Sequence, residues 1–460
     1  MDPVEAQAVL ESGPLLPLLP PKPITRRLPR LPPRTSPPPR FGPGWTLHSF
    51  VVPAAFPRAY PNGTKRPDEV IEDPTDANGG KVDRKAAWNA LIRAQVEAFN
   101  RPVSLDDEVE LERQQQLVIA VNCYRPPRAD KRRGLTLVFS HANGFYKEVW
   151  EPMLETLVAE LEASDCLPVE EILALDCVVQ GDSAVLNNDV LGSSFNWSDH
   201  GRDILNFVIS YIDAEASSGL DAVAEPPEGV DRTRLELDNV STIDPGASNP
   251  LERRYRGRLI VGIGHSLGGG GTAFAASACP SLFSSVVFVD PVLVSPSMGG
   301  KSTEPLAAGA LVRKQRWTSR QEALEGFKKK SFFQAWDPRV LKEYVEFGLK
   351  ETQDGVALKT TAWAEAMTFA DAAVVASQRA FLRLASLPRS LPVHFVVADE
   401  NRSVLPQWNI DELLERQVKH ATSSRVEGAG HLVVHEQPQR TAKCIGDFLK
   451  ATYSVRKARL

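Results

Sequence analysis

Short runs of apolar residues alternate with amphipathic stretches along most of this chain, a pattern that predicts buried strands separated by helices. The runs that predict strands cover 45–52, 117–123, 135–140, 171–178, 259–263, 286–289, 391–398 and 424–427. Periodic apolar positions predict helices over 83–99, 150–161, 199–212, 271–278 and 410–420, and a last helix that ends near Tyr453. Because most of the predicted strands are apolar on both faces and lead into a helix, we expect an α/β fold with a mostly parallel, eight-stranded sheet flanked by helices.

Changes in composition divide the chain into segments. The first segment is basic and rich in proline, which interrupts both helices and sheet ladders, so we expect a disordered or polyproline-like tail that acts as a spacer. The stretch 214–252 is acidic and rich in loop-forming residues, so we expect a surface insertion that carries no catalytic residue. The predicted segments are a tail, 1–45; a first part of the core, 46–291, with the surface insertion 214–252; a helical lid, 292–387; a second part of the core, 388–453; and an exposed tail, 454–460.

The segment 292–387 interrupts the alternation of strands and helices, because it contains helical patterns and no convincing strand. It is rich in large aromatic side chains, namely Trp317, Phe332, Phe333, Trp336, Tyr344, Phe347 and Trp363. A segment inserted between two core strands lies over the carboxyl ends of the strands, where open α/β sheets bind ligands. We therefore expect a lid whose underside shapes a mainly apolar substrate pocket.

The composition narrows the classes of function. The 460 residues are 42% hydrophobic and 24% charged, values typical of a globular protein in water. A net charge of −5, without a basic stripe interleaved with aromatic residues, argues against nucleic-acid binding. The five cysteines follow neither a disulfide nor a metal-binding pattern and are typical of reduced intracellular thiols. The sequence contains neither an apolar run of transmembrane length nor a secretory signal over residues 1–20.

The predicted strand 259–263 leads into a G-x-S-x-G motif at 264–268, and a predicted helix follows. In this context the motif predicts a nucleophile elbow, a turn so sharp that glycines are needed on both sides of the serine. The turn would expose the hydroxyl of Ser266 at the start of the helix, where the N–H of Leu267 and the helix dipole face a developing oxyanion. Ser266 is therefore the candidate nucleophile, and Leu267 is a candidate oxyanion donor.

The predicted strand 135–140 ends in HANGF, residues 141–145. In a serine hydrolase with this alternation of elements, the loop after the third strand supplies the second oxyanion donor. Because Ala142 and Gly144 are small, backbone amides there can approach a substrate carbonyl, and the favoured donor is the N–H of Asn143. The same residues would also fit an ordinary strand-to-helix turn capped by the asparagine.

A glycine-flanked histidine, His431, follows the last predicted strand in the sequence GAGH. A histidine on this loop can reach back to Ser266 as the general base, and the order of serine before histidine is that of an α/β hydrolase. His435 is the rival base, but it lies in or near the final predicted helix, so His431 is favoured.

With the elbow, the loop at 141–145 and the glycine-flanked His431, residues 45–453 resemble the α/β-hydrolase superfamily. More narrowly, the sequences SHANGF, WDPR and DGVALK are similar to those of fungal peroxisomal hydrolases, a subgroup that includes a yeast lipase and hydrolases of host-selective toxin biosynthesis. The resemblance implies an α/β-hydrolase fold with a helical lid after the sixth strand, a serine–histidine–acid triad, and neither cofactor nor metal. Relatives that hydrolyse epoxides or haloalkanes use an aspartate nucleophile, so Ser266 argues against both activities.

The acid of the triad departs from the commonest family pattern, which is an aspartate in a G-x-x-D stretch after the seventh strand. In this chain the aligned position holds Asn401, which carries no charge. A small shift in alignment would let Asp399 or Glu400 serve. Some lipases of this fold instead take the acid from the end of the sixth strand, where Asp290 stands. All three carboxylates are candidates at this point, and Asp290 is favoured.

These residues predict hydrolysis of a small-molecule carboxylic ester with an apolar acyl group, through an acyl-enzyme. The same residues would serve an acyl-CoA thioesterase or an acyltransferase. An alternative from a different class is a non-catalytic protein of this fold that binds a ligand or partner.

The last three residues, Ala458-Arg459-Leu460, share a small residue, a base and leucine with the peroxisomal signal Ser-Lys-Leu. The basic residues Arg456 and Lys457 precede them. We therefore expect the carboxyl terminus to bind the peroxisomal import receptor and the protein to reside in the peroxisome. A cytoplasmic location is the alternative.

Overall fold

The computed structural model describes residues 15–31, 34, 38–39, 41–64, 84–127, 134–212, 223, 234–235, 237, 258–298, 304–370, 374–400 and 402–454. The strands within these ranges are β1 (Thr46–Pro53), β2 (Val118–Arg125), β3 (Leu135–Ser140), β4 (Val169–Leu175), β5 (Leu259–His265), β6 (Ser285–Val289), β7 (Arg316–Trp317), β8 (Leu349–Thr352), β9 (Gly355–Leu358), β10 (Val393–Ala398) and β11 (Thr422–Val426). Eight of them form one sheet in the order β1-β2-β4-β3-β5-β6-β10-β11, so the predicted eight-stranded α/β fold is confirmed.

Most neighbouring strands of this sheet run parallel, and only the pairs β1–β2 and β2–β4 are antiparallel. The central strands β3 and β6 are buried at every position because helices cover both faces of the sheet. Since parallel strands end at the same edge, the loops that follow β3, β5, β6 and β10 meet there. Each predicted site residue lies on or near one of these loops or on the loop after β11.

The helices bound the sheet and form most of the segment between β6 and β10. They are α1 (Arg84–Asn100), α2 (Glu108–Arg113), α3 (Glu151–Glu162), α4 (Gly181–Asn187), α5 (Trp197–Tyr211), α6 (Leu267–Ala278), α7 (Glu304–Leu311), α8 (Arg320–Lys328), α9 (Ser331–Gln334), α10 (Pro338–Gly348), α11 (Ala362–Phe369), α12 (Val374–Arg383), α13 (Gln407–Glu412), α14 (Val433–Glu436) and α15 (Pro438–Tyr453). Short 3₁₀ helices lie at Pro61–Gly63, Lys147–Trp150, Pro280–Leu282, Pro296–Met298 and Leu384–Ser386, and a π-helical turn lies at Leu413–Gln417.

The lid segment between β6 and β10 also contains strands, so the prediction of a purely helical segment is wrong. Strands β7, β9 and β8 form a small antiparallel sheet. Strand β9 starts at Gly355 with a φ of 138°, and a Cβ there would lie 2.2 Å from the carbonyl oxygen of Trp317. Strands of two to four residues are too short to show a two-residue period in the sequence, which is why the pattern missed them.

Residues 15–31 pack against the core, so the prediction of a disordered tail is wrong for this part of it. Leu18 is buried, and the buried guanidinium of Arg202 donates to the carbonyl oxygens of Leu16 and Pro17 over 2.6 and 2.9 Å. Prolines prevent a regular ladder, but the side chain of Arg202 satisfies two backbone carbonyls of the segment, and the backbone N–H of Leu235 satisfies that of Leu18.

Two sequence predictions lie almost wholly outside the described residues. They are the acidic insertion 214–252, of which only four positions are described, and the terminal signal Ala458-Arg459-Leu460. Among the helices that the structure does describe, none has the length and apolar character needed to cross a bilayer.

Candidate active site

The turn between β5 and α6 has the geometry of a nucleophile elbow. Ser266 has a φ of 54° and a ψ of −112°, a conformation that costs a residue with a Cβ about 1–3 kcal/mol. The neighbouring chain leaves no space for side chains, because a Cβ on Gly264 would lie 2.2 Å from the carbonyl oxygen of Gly268. A Cβ on Gly268 would lie 2.1 Å from the carbonyl oxygen of Ser140. The strained turn therefore holds the serine side chain at the carboxyl edge of the sheet.

A chain of hydrogen bonds joins Ser266, His431 and Asp290. The Ser266 Oγ lies 2.9 Å from His431 Nε2, and His431 Nδ1 lies 2.7 Å from Asp290 Oδ2. Since a carboxylate only accepts hydrogen bonds, the proton of the neutral imidazole lies on Nδ1, and Nε2 presents its lone pair to the serine hydroxyl. The three residues lie on the loops after β5, β6 and β11, and are separated by up to 165 positions in the sequence.

Three donors hold the carboxylate of Asp290, which is 1% exposed. Besides the imidazole of His431, the N–H of Ala398 donates to Oδ1 over 2.9 Å and the hydroxyl of Ser403 donates to Oδ2 over 2.8 Å. Burial alone would raise the pKa of Asp290, but these hydrogen bonds and the nearby imidazole outweigh burial and lower that pKa. The carboxylate is therefore ionised at neutral pH.

The two alternative acids do not join this chain of hydrogen bonds. Asp399 Oδ2 accepts a hydrogen bond from the N–H of Gly428 over 2.9 Å, and its Oδ1 accepts one from the N–H of Glu400 over 2.8 Å. Glu400 is exposed. Asp399 thus fastens the start of the loop that carries His431, and contacts neither ring nitrogen.

The rival base, His435, is buried in a ring of aromatic residues. Its ring centroid lies 4.1 Å from that of Phe145 and 4.6 Å from that of Trp336 in the lid. Within the described chain, neither of its ring nitrogens has a hydrogen-bond partner. Burial lowers the pKa of His435 well below its usual range, so the ring is neutral. The structure therefore brings His431, and not His435, to the serine.

The loop after β3 lies against the start of α6. The N–H of Gly268 donates to the carbonyl oxygen of His141 over 3.1 Å, which places Asn143 beside the elbow. Neither the backbone N–H of Asn143 nor that of Leu267 has a protein acceptor among the residues that the structure describes. Two unused backbone donors thus lie next to the serine, as an oxyanion hole requires.

A buried cluster of charges below this loop was not found from the sequence. The ammonium group of Lys147 lies 2.9 Å from Glu148, 3.3 Å from Asp176 and 2.6 Å from Asp182, and Lys359 of the lid lies 2.5 Å from Asp182. Burial alone would lower the pKa of Lys147, but the carboxylates outweigh burial and raise that pKa well above its usual value. The cluster ties the loop after β3, the end of β4 and the lid together.

The lid also places an ion pair beside the loop after β3. The guanidinium of Arg313 pairs with the carboxylate of Glu365. A Cβ on Gly144 would lie 3.1 Å from the carboxyl carbon of Glu365, so the pair covers this glycine. Burial raises the pKa of Glu365 and Arg313 opposes the shift. The surface of the lid that faces the loop is therefore partly charged, whereas the sequence predicted a mainly apolar one.

The described residues contain no group of three or more histidine, cysteine, aspartate or glutamate side chains arranged to hold a metal ion.

Comparison with known proteins gives one family and several relatives. A model of the alpha/beta hydrolase family matches residues 137–443, more than half of the chain. A peroxisomal membrane protein of Saccharomyces cerevisiae is 32% identical over 175 residues, which are 37% of this chain and 34% of that protein. A type I acyl-CoA thioesterase of Penicillium brevicompactum is 27% identical over 237 residues, which are 50% of this chain and 43% of that protein. The matches therefore span less than half the length of these curated relatives.

A solved structure extends the likeness to most of the chain. The structure of the same Saccharomyces cerevisiae protein, described as a peroxisomal alpha-beta-hydrolase, matches with a TM-score of 0.60 at 20% identity, and the match covers 89% of this chain and 90% of that one. At this level of identity the match describes the fold.

Proposed function

Because the chain belongs to the alpha/beta hydrolase family, as its resemblance predicted, we propose that it is a serine hydrolase that cleaves carboxylic esters through a covalent acyl-enzyme. The observation that carries the proposal is the continuous chain of hydrogen bonds from Ser266 through His431 to Asp290. A serine without a catalytic role would not require a strained backbone, a hydrogen bond to a histidine and a buried carboxylate bound to that histidine. This arrangement favours an enzyme over a non-catalytic binding protein.

In the proposed reaction, Ser266 Oγ attacks the acyl carbon while His431 Nε2 takes the hydroxyl proton. The carboxylate of Asp290 then stabilises the imidazolium through the hydrogen bond to Nδ1. The imidazolium returns the proton to the leaving oxygen, and an acyl group remains on the serine. A water molecule, activated by the same imidazole, then hydrolyses the acyl-enzyme.

The backbone N–H groups of Asn143 and Leu267 are the proposed oxyanion donors. Both are unused by protein acceptors in the described chain, and the loop and the elbow are fixed to each other through Gly268 and His141. Donors held in place before the reaction need no reorganisation when negative charge develops, so each is worth about 10²–10³-fold in kcat.

Thioesters are a second candidate substrate class. The Penicillium brevicompactum relative is named as an acyl-CoA thioesterase, and a thioester uses the same nucleophile, base and oxyanion donors. The lid places an aromatic ring, Trp336, against His435 and the Arg313–Glu365 ion pair against Gly144. We therefore extend the proposal to acyl groups that combine an apolar body with a polar substituent.

One preparation of the full chain tests the proposed function. We expect a fluorophosphonate probe to label the protein and peptide mapping to find the probe on Ser266. The kcat/KM values for p-nitrophenyl esters and for acyl-CoAs then identify the preferred leaving group. Intact, folded protein that neither reacts with the probe nor hydrolyses either class would contradict the proposal.

For localisation, we propose the peroxisome. The yeast relative is named as a peroxisomal protein, and the terminal Ala458-Arg459-Leu460 keeps the small residue, base and leucine of the known signal. The last described residue, Ser454, is fixed at the surface by a hydrogen bond from its hydroxyl to Asp165 over 2.9 Å.

A transplanted carboxyl terminus tests this localisation. A fluorescent protein that ends in SVRKARL should become punctate and overlap a peroxisomal marker, because the receptor binds the side chains and free carboxylate of the last three residues. The matched control lacks Leu460 and should remain in the cytosol. A diffuse signal from the intact tag, in cells that import a Ser-Lys-Leu reporter, would contradict the localisation.

A further inference from the structure

The side chain of Asn143 is held from both sides, once by the core and once by the lid. Its Nδ2 donates to the backbone carbonyl of Glu365 in α11 over 3.2 Å, and its Oδ1 accepts a hydrogen bond from Nε2 of Gln180. Gln180 is completely buried at the amino-terminal end of α4. The residue whose N–H is the proposed oxyanion donor is therefore clamped through its amide group.

The hydrogen-bond chemistry fixes the orientation of both amides. A backbone carbonyl can only accept, so Asn143 must present its NH₂ group to Glu365 and its oxygen to Gln180. Gln180 must then present its NH₂ group to Asn143. This orientation leaves Gln180 Oε1 buried without a partner among the described residues. An unsatisfied buried acceptor destabilises the folded state by about 1–3 kcal/mol. The hydrogen bond from Gln180 Nε2 to Asn143 is kept in spite of this cost.

The clamp acts beside a turn that also holds the peptide group of the Asn143 N–H. Asn143 and Gly144 form a turn closed by the hydrogen bond from the N–H of Phe145 to the carbonyl oxygen of Ala142 over 3.2 Å. Gly144 has a φ of 84°. The carbonyl of Ala142, which shares a peptide group with the Asn143 N–H, also lies 2.8 Å from His141 Nδ1. The clamp adds contacts from the Asn143 side chain to the lid and to Gln180 beyond those within the loop.

We propose that Gln180 is a positioning residue for the oxyanion hole: by binding the Asn143 side chain against the lid carbonyl of Glu365, it orients the Asn143 N–H toward the acyl oxygen. This inference rests on the proposed function. Among the described residues, no hydrogen bond joins Gln180 to Ser266, His431 or Asp290, so it acts through Asn143. Because one half of the clamp belongs to the lid, the oxyanion hole is complete only with the lid in place.

Gln180→Met tests the proposal, because methionine keeps the length of the side chain and removes its donor. We expect kcat for a p-nitrophenyl ester to fall by about tenfold to a hundredfold, less than the 10²–10³-fold effect of losing a donor outright. KM should stay within about twofold, and fluorophosphonate labelling should slow in parallel with kcat. The pH profile should keep its shape, because the hydrogen bonds of His431 are unchanged.

A double-mutant cycle separates positioning from packing. Asn143→Ala keeps the backbone N–H and removes the side chain on which Gln180 acts. In that background Gln180→Met should have no further effect on kcat. An equal loss in both backgrounds, or a kcat within about twofold of wild type for Gln180→Met alone, would overturn the inference.

The chain offers a matched control in Gln95. This glutamine is also buried, donates through Nε2 to the carbonyl oxygen of Met367 in the same lid helix over 3.3 Å, and leaves its Oε1 without a partner in the described chain. Gln95→Met should leave kcat within about twofold. A loss as large as that of Gln180→Met would assign the effect to lid packing and overturn the inference. If the probe does not label Ser266 in the wild-type protein, the proposed function is overturned as well. If the wild type is labelled and Gln180→Met has the same kcat, only the inference is overturned.

Discussion

Ser266→Ala is expected to abolish ester hydrolysis and fluorophosphonate labelling, with a loss in kcat of about 10⁶-fold, the scale seen when a serine protease loses its nucleophile. The physical reason is that no other group of the site can form the acyl-enzyme. The variant keeps the imidazole, the carboxylate and both unused backbone donors next to the elbow. Activity is measured by steady-state hydrolysis, and labelling by mass spectrometry of the intact chain.

The stability of the Ser266→Ala variant should stay close to that of wild type. Among the described residues, the serine hydroxyl makes one hydrogen bond, to His431, and the strained φ of 54° is equally demanding for alanine. Ser277→Ala is the matched control, since Ser277 lies on the same helix α6 and bonds only outside the triad. The control should keep full activity. Substantial hydrolysis by folded Ser266→Ala protein, or a loss of activity in the control, would contradict the assignment of the nucleophile.

The sequence predicted those parts of the site whose residues lie close together in the chain. The elbow and the loop at 141–145 are local motifs, because a strand, a tight turn and a helix are all contained in a short stretch. The choice between Asp290 and Asp399 could not be made from the sequence, since both stand at the carboxyl ends of adjacent strands. The structure distinguishes the two by their hydrogen bonds, since Asp290 binds His431, whereas Asp399 binds the backbone N–H of Gly428.

Long-range polar contacts account for what the sequence did not predict. Lys147 binds three carboxylates, and Asp182 among them also binds Lys359, which is 177 positions away. A single charged residue between apolar runs gives no indication of such a partner. The same holds for Arg202, whose donors bind the carbonyls of Leu16 and Pro17 and so hold the amino-terminal segment in place. Proline content does not exclude packing, nor the isolated β-bridges that Leu18 and Leu19 form with Leu235 and Phe56.

Asp290→Asn should lower kcat by about 10⁴-fold in folded protein, the loss known for the corresponding change in a serine protease. The carboxylate accepts three donors: His431 Nδ1–H and the hydroxyl of Ser403 on Oδ2, and the N–H of Ala398 on Oδ1. An asparagine has only one oxygen, so its NH₂ group must replace either Oδ1, which faces Ala398, or Oδ2, which faces His431 and Ser403. If the oxygen stays with Ala398, the NH₂ group donates to His431 Nδ1.

That arrangement moves the imidazole proton to Nε2, where it faces Ser266. The base then has no lone pair for the serine proton, which explains a loss in kcat rather than in substrate binding. Asp399→Asn is the matched control, because it removes a carboxylate of the neighbouring loop that binds Gly428 instead of His431. The control should keep kcat within about tenfold. A larger loss in Asp399→Asn than in Asp290→Asn would show that the acid is misassigned.

The same substitution has a second, independent signature in the pH dependence of stability. The pKa of Asp290 is lowered in the folded protein, so its ionised form stabilises the fold above the unfolded-state pKa of about 3.9, and this contribution is lost as the pH falls through the lowered pKa. An asparagine does not titrate. The difference in unfolding free energy between wild type and Asp290→Asn should therefore be largest near neutral pH and shrink below about pH 4. Urea unfolding at several pH values measures this difference, and a difference that grows on acidification would contradict an ionised Asp290 in the folded site.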